Sequence, residues 1–255
     1  MRGEILSGRG QLGPYPMEKL KRVPRPTTLV TDDIERADER ESGFNRATRG
    51  DFGEAVAAAR RRPQKDPISG AEAITSRLFI PAADGEVASS IAPLPQNPSI
   101  LSRHIKRLGY FLRADVVGIC RLPPYAVYRY NKAGDPVELD HKYAIVMLVD
   151  QDYETINAST GDDWIAEAQP FRGYSNAALI ASTMARYIRK LGYPARAQHT
   201  GTYQITVPPL LLMAGIGEVS RIGIILNPFL GPRFKASVVT TDLPLEPDMP
   251  VDFGL

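Results

Sequence analysis

Tyr143-Ala-Ile-Val-Met-Leu-Val149 is seven consecutive residues without a charge, rich in β-branched and large apolar side chains. A run of that length and type predicts a strand buried on both faces, so the fold must place a layer on each side of it. Val116 to Cys120 is a second, shorter β-branched run, and Ile222–Leu226 and Ala236–Thr241 predict two more strands. The last two are separated by Asn227-Pro228 and Gly231-Pro232, both turn signals. Helical periodicity lies between the strands. Ile100, Leu101, Ile105, Leu108 and Leu112 recur at helical spacing, with Ser99 placed to cap them. A second helix is predicted over about 175–191, with Ala178, Ala181, Met184, Ala185 and Ile188 on one face and Gly192 as its left-handed terminator. Helices alternating with strands predict an α/β (α+β layered) body over residues 98–255.

Residues 1–97 read as a Pro-rich, irregular N-terminal arm. Pro14, Pro16, Pro24 and Pro26 punctuate its start and Pro93, Pro95 and Pro98 close it. Asp32 to Glu41 is densely charged with both signs and suits a solvated helix or loop. Phe52 to Arg62 predicts a short helix with Asp51 as its cap. The arm has too few apolar residues to bury by itself and is expected to wrap the larger body.

Composition narrows the classes of function. The 255 residues are 43% hydrophobic and 24% charged, with Lys+Arg 31 against Asp+Glu 29. A net charge of +2 gives no electrostatic footprint for nucleic acid. The longest apolar run, Ile205 to Ile216, is interrupted by Thr206, Pro208 and Pro209 and is too short to span a bilayer. No apolar signal region opens the sequence, and Arg60-Arg61-Arg62 is followed by Pro63 rather than an apolar stretch, so a cytoplasmic location is expected. The one cysteine, Cys120, rules out an intrachain disulfide and an all-cysteine iron–sulfur site built by these residues alone.

Several stretches could carry chemistry. Gly8-Arg9-Gly10-Gln11-Leu12-Gly13 spells a dinucleotide fingerprint, but only Ile5-Leu6 precedes it and Pro14 and Pro16 follow, so it reads as a chance match. His104, His141 and His199 lack metal-ligand spacing with one another, and none lies in an Asp-x-His-x-x-Gly cobalt-ligand pattern; His104 and His141 are expected in surface or satisfied polar roles, and no metal ligands are assigned. Ala214-Gly215-Ile216-Gly217-Glu218 places two glycines one residue apart, which suits either the approach of a flat or anionic ligand or a tight connection between buried elements. Tyr174, expected just ahead of the second helix, and Lys235, just after the Gly231-Pro232 turn, are a phenol and an ammonium. A free phenol, with a pKa of about 10, is a poor acid at neutral pH, and a neighbouring cation improves it by stabilising the phenolate. Spacing alone does not bring the two together.

Taken in order, the motifs resemble one family. They are Val23-Pro24-Arg25-Pro26-Thr27-Thr28, Arg172-Gly173-Tyr174-Ser175, Ile188-Arg189-Lys190-Leu191-Gly192-Tyr193, Ala214 to Glu218, Gly231-Pro232-Arg233-Phe234-Lys235, Thr241-Asp242-Leu243-Pro244-Leu245, and Pro247-Asp248 through Asp252-Phe253-Gly254. Together they resemble the cobalamin-dependent reductive dehalogenases, which remove halide from organohalides. The resemblance implies a nitroreductase-like, corrinoid-binding scaffold whose cobalt lacks a histidine below it. It implies Tyr174 as proton donor to substrate carbon and Lys235 as its basic partner, lysine there being similar to the catabolic branch that acts on halogenated phenols or benzoates. It implies cofactor contacts at Gly215, Ile216, Gly217 and Glu218, and at Thr200, where His199-Thr200-Gly201 departs from the Gly-Asn-Asp often found in the family. The implied chemistry is attack of reduced cob(I)alamin at the halogen with proton delivery from Tyr174. In the family, cysteine motifs for two iron–sulfur clusters follow Asp-Phe-Gly. Here the sequence ends at Leu255, so an iron–sulfur domain or electron-donor protein is expected as partner. A non-catalytic corrinoid-binding domain and an epoxyqueuosine reductase-like protein are the alternative readings.

Overall fold

The computed structural model describes residues 17–31, 33–61, 67–160 and 164–255. In chain order its strands are β1 (Lys21–Arg22), β2 (Val116–Arg121), β3 (Tyr143–Asp150), β4 (Ala195–Gln198), β5 (Glu218–Val219), β6 (Ile225–Leu226), β7 (Phe234–Thr241) and β8 (Val251–Asp252). The helices are α1 (Gly43–Arg49), α2 (Glu54–Arg61), α3 (Ile68–Arg77), α4 (Pro98–Phe111), α5 (Tyr153–Ala158), α6 (Trp164–Lys190) and α7 (Val207–Met213). The Gly8–Gly13 match lies outside the described residues, as does Arg62 of the arginine run.

The central sheet has the order β2-β3-β7-β4, and all its pairings are antiparallel. The apolar run that predicts β3 is covered on both sides. Ile145, Met147 and Val149 point into one core with Ile105 of α4 and Ala177, Ala181, Met184 and Ile188 of α6. Ala144, Val146 and Leu148 point into a second core with Leu210, Leu211 and Leu212 of α7. This is the period-two alternation of a strand with neither face in water, and it gives the layered α/β arrangement expected.

The boundaries differ from those predicted, for identifiable reasons. The first helix is capped by Asn97, whose side chain accepts from the Ser99 amide at 2.9 Å, not by Ser99. Pro98 takes the first helical position, where a missing N–H costs nothing, and moves the cap back two residues. Asn97→Ala is expected to lower stability by about 1 kcal/mol, within a range of roughly 0.5–2, in urea unfolding. Helix α6 starts eleven residues before the predicted 175, passing through Pro170 and Gly173. Burial of Ala168, Gln169 and Gly173 against the sheet overrides the local breaker signals. Tyr174 is therefore inside a helix, not ahead of one. Gly192 does end it, at φ +90. Strand β7 begins at Phe234, two residues early, so Lys235 sits in the ladder opposite Val149 rather than in a turn. The strand expected at 222–226 shrinks to Ile225–Leu226, leaving Ile222 80% exposed at a turn.

The arm carries more structure than expected, since α1, α2 and α3 all fall within it. Asp51 does not cap α2; its carboxylate meets the Arg49 and Arg46 guanidinia, which hold it down at about 2. Helix α3 packs on α6, and Ala83 joins the α6-side core. The earlier part of the arm is fastened by polar ties. Arg36 donates to the carbonyls of Val127, Tyr128 and Val137, and Arg22 donates to those of Gly215 and Met249. No helix among the described residues is long and apolar enough to cross a membrane.

Candidate active site

At one end of the central sheet β3 finishes, β7 begins and β4 gives way to a loop. Lys235 shares the register position of Val149, whose side chain belongs to the α6-side core, so the lysine stem rises toward α6. Its Nζ lies 4.7 Å from the centroid of the Tyr174 ring, over the ring face, where the quadrupole attracts a cation. Phe171, one helical turn earlier on α6, packs its ring against Tyr174 at 6.4 Å in an edge arrangement. Both Tyr174 and Lys235 are half-buried. Lys235 has no carboxylate partner among the described residues.

Sequence reasoning did not identify the surroundings of this pair. Tyr203, on the loop after β4, donates its hydroxyl to the Ala236 carbonyl at 3.2 Å. Burial, with smaller contributions from the phenols of Tyr174 and Tyr128, holds the Tyr203 phenol above the usual tyrosine range. Below the lysine stem lie two buried glutamines. Gln151 Nε2 donates to Gln169 Oε1 at 2.5 Å, and the Gln169 amide donates back to the Gln151 carbonyl, which also accepts from Arg172 at 3.2 Å. Beside them Arg233 donates to Asp150 at 2.9 Å, with both side chains largely out of water. Buried amides and ion pairs of this kind are tolerated when they are mutually satisfied, and they stiffen what stands on them.

The loop 214–218 lies elsewhere. Ala214 and Ile216 belong to the α7-side core, across the sheet from α6. Gly215 has φ +63, and a Cβ there would run into the Met249 carbonyl and the Arg22 guanidinium. A Cβ at Gly217 would run into the Leu226 carbonyl and the Ile225 side chain. Glu218 is 2% exposed; it accepts from the Thr27 hydroxyl with one oxygen and from the Phe253 amide, at 2.7 Å, with the other. These glycines thus make room for protein, and the glutamate ties the arm and the C-terminal residues to the loop. Thr200 is half-buried on the loop after β4 that also carries Tyr203.

The histidines are all engaged. His104 Nε2 lies 2.7 Å from the Tyr187 hydroxyl and His141 Nδ1 lies 3.0 Å from Thr240 Oγ1. His199 is 1% exposed, with Nδ1 against the Thr200 carbonyl and Nε2 3.4 Å from Ser182 Oγ. Burial lowers both His199 and His141 below the ordinary 6.5. In the window between those lowered values and 6.5 the unfolded chain binds protons that the native state refuses. Their contribution is therefore whole above 6.5 and is lost as pH falls. The urea midpoint is expected to drop between pH 7.5 and 5.5, and to drop less in His199→Gln. Equal pH dependence in parent and variant would remove His199 from this account.

The three histidines each hydrogen-bond within the protein, and the half-buried polar and aromatic side chains at the Tyr174 end suit contact with a corrin. At Gly215 and Gly217 the space that a Cβ would take is filled by neighbouring protein atoms. Among the described residues no cluster of three or more His, Cys, Asp or Glu could hold a metal ion. Burial, with the nearby Asp248 second, pushes the Cys120 thiol up to about 12, which keeps it protonated.

No protein-family model matches the chain. The tetrachloroethene reductive dehalogenase of Desulfitobacterium hafniense is 40% identical over 114 residues, covering 45% of this chain and 20% of that protein. Among solved structures, the catabolic reductive dehalogenase NpRdhA in complex with 3-bromo-4-hydroxybenzoic acid superposes with a TM-score of 0.88 and 43% identity, over 95% of this chain and 36% of that one. A reductive dehalogenase structure described in terms of B12-dependent dehalogenation superposes at TM-score 0.87 and 43% identity, over 94% of this chain and 36% of that one. The chain thus spans about a third of the structures it matches and a fifth of the curated relative.

Proposed function

The chain is a relative of the reductive dehalogenases by sequence and by fold, and from that premise we propose that Tyr174 and Lys235 form the proton-delivery site for cleavage of a carbon–halogen bond on an aromatic ring. The observation that carries this reading is the Lys235 ammonium over the face of the Tyr174 ring. The net change is replacement of carbon–halogen by carbon–hydrogen, with two electrons and one proton consumed and halide released. Tyr174 Oη supplies the proton to the carbon that loses halide, and the phenolate left behind is stabilised by the ammonium seated on its ring. Phe171 and the Gln151–Gln169 pair hold ring and stem in place, which is the orientation such a transfer requires. Lys235, with no carboxylate partner among the described residues, is also available to a substrate phenolate or carboxylate; the bromohydroxybenzoate bound by the matched dehalogenase carries both kinds of group.

Cobalamin, as in the B12-dependent relative, would supply the electron pair. On this reading the half-buried Tyr174 and Thr200 would contact it, while Gly215 and Gly217 make room for the protein packed against them. Recharging such a cofactor calls for an electron-donor protein or iron–sulfur domain, because the single cysteine is buried and protonated.

The test uses the chain loaded with cobalamin, titanium(III) citrate as reductant and 3-bromo-4-hydroxybenzoic acid in D2O. Bromide release with deuterium at the vacated ring carbon is expected. A chain that retains no corrinoid absorbance after gel filtration and releases no bromide above the free-cobalamin control would end the proposal.

A further inference from the structure

Gly173 lies on the sheet-facing side of α6, buried, beside Tyr174. A glycine weakens a helix interior relative to alanine, so its presence here needs a reason. A Cβ at that position would fall 2.8 Å from Lys235 Cγ, 3.4 Å from Lys235 Cβ and 3.6 Å from Gln151 Cγ. Non-bonded carbons prefer separations of about 3.5–4.0 Å, so the contact with Lys235 Cγ is a true overlap and the others are the edges of a slot. The slot's far wall cannot retreat. Gln151 is locked to Gln169 through both amides, and its backbone N–H donates to the Arg233 carbonyl at 3.1 Å. The lysine stem is the member free to move. It leaves the ladder at Val149's level and crosses α6 at Gly173 to bring Nζ over the Tyr174 ring.

We propose that Gly173 is a positioning residue: by lacking a side chain it opens the slot through which Lys235 reaches the face, rather than the hydroxyl, of Tyr174. This rests on the reading of Tyr174 as proton donor for its meaning, but not for its test. A methyl group at 173 pushes the stem aside and removes the ammonium from the ring. Alanine there restores helix propensity but overlaps the lysine stem, so the cation loses its seat whatever the net change in stability.

The experiment follows the Lys235 methylene signals by NMR in chain grown on lysine carrying carbon-13 at Cε, with assignment by their loss in Lys235→Arg. In the parent the Lys235 signal is displaced upfield by the ring current, and it returns to the ordinary lysine position in Tyr174→Leu. Gly173→Ala and Gly173→Ser are expected to abolish the displacement in chain that is still folded by circular dichroism. In the cobalamin-loaded chain, turnover is expected to fall about tenfold or more in Gly173→Ala, with no further fall when Lys235→Ala is added, since the two act as one unit. A Lys235 signal that stays displaced in Gly173→Ala overturns the proposal. So does an undisplaced signal in the parent. If the displacement behaves as expected but Tyr174→Phe dehalogenates as well as the parent, Gly173 still positions Lys235 and it is the proton-donor reading that falls.

Discussion

Tyr174→Phe is expected to lower the kcat for dehalogenation by about 10²- to 10⁴-fold, the usual contribution of a positioned general acid. The substitution is narrow. Phenylalanine keeps the ring that packs edge-on against Phe171 at 6.4 Å and keeps a π-face under the Lys235 ammonium at 4.7 Å. Only the hydroxyl is removed. Substrate binding should change little, so the loss appears in kcat and in kcat/KM alike, the pattern of an interaction made only in the transition state. The measurement is bromide release from 3-bromo-4-hydroxybenzoic acid by the cobalamin-loaded chain under chemical reduction. A variant within about twofold of the parent, far below the range for a general acid, would remove Tyr174 from the reaction. A loss accompanied by a large rise in KM would instead make the hydroxyl a binding group. Lys235→Met gives the complementary case: the stem still fills the slot beside Gly173, the charge is gone, and turnover should fall in the same direction but less far, because the acid itself remains.

Sequence patterns recorded some of this arrangement and were silent on the rest. The seven-residue run at 143–149 required cover on both faces, and α6 and α7 supply it from opposite sides. Helical periodicity found α4 and most of α6, because a buried apolar stripe is visible whenever the chain is read at period 3.6. It failed where tertiary burial outweighs local preference. Pro170 and Gly173 argue for a helix start near 175, yet Ala168, Gln169 and Gly173 are held helical by what they pack against. The approach of Lys235 to Tyr174 has no local signal at all. It depends on β7 starting two residues early, which turns Lys235 from a loop residue into one facing α6. The Gln151–Gln169 pair was invisible for a related reason, since a glutamine at a strand's end reads as solvated until its partner on another element is known. Family resemblance supplied Tyr174 and Lys235; the fold supplied Gly173, Tyr203 and the glutamines around them.

Gly215→Ala is expected to destabilise the chain by about 2–5 kcal/mol in the absence of any cofactor. Two costs add. An L-residue held at φ +63 loses roughly 1–2 kcal/mol in the left-handed region. The new methyl also meets the Met249 carbonyl and the Arg22 guanidinium, and overpacking of a tight contact costs a further ~1–3 kcal/mol. Arg22 can swing away, but Met249 is backbone held beside Pro250, whose carbonyl accepts from the Val23 amide at 2.9 Å, and beside the β1–β8 ladder. The loop would therefore have to part from the segment that joins the arm to the C-terminal residues, and Glu218, which ties Thr27 to Phe253 three residues on, would be pulled with it. This discriminates between the two readings that a pair of spaced glycines always permits. If Gly215 existed to let a flat cofactor approach, alanine would leave the unliganded chain as stable as before and would weaken only cofactor retention. If it exists because protein fills its open side, the urea midpoint falls without cofactor, and corrinoid retention measured at temperatures where the variant is folded stays as it was. The packing around residue 215 favours the second result.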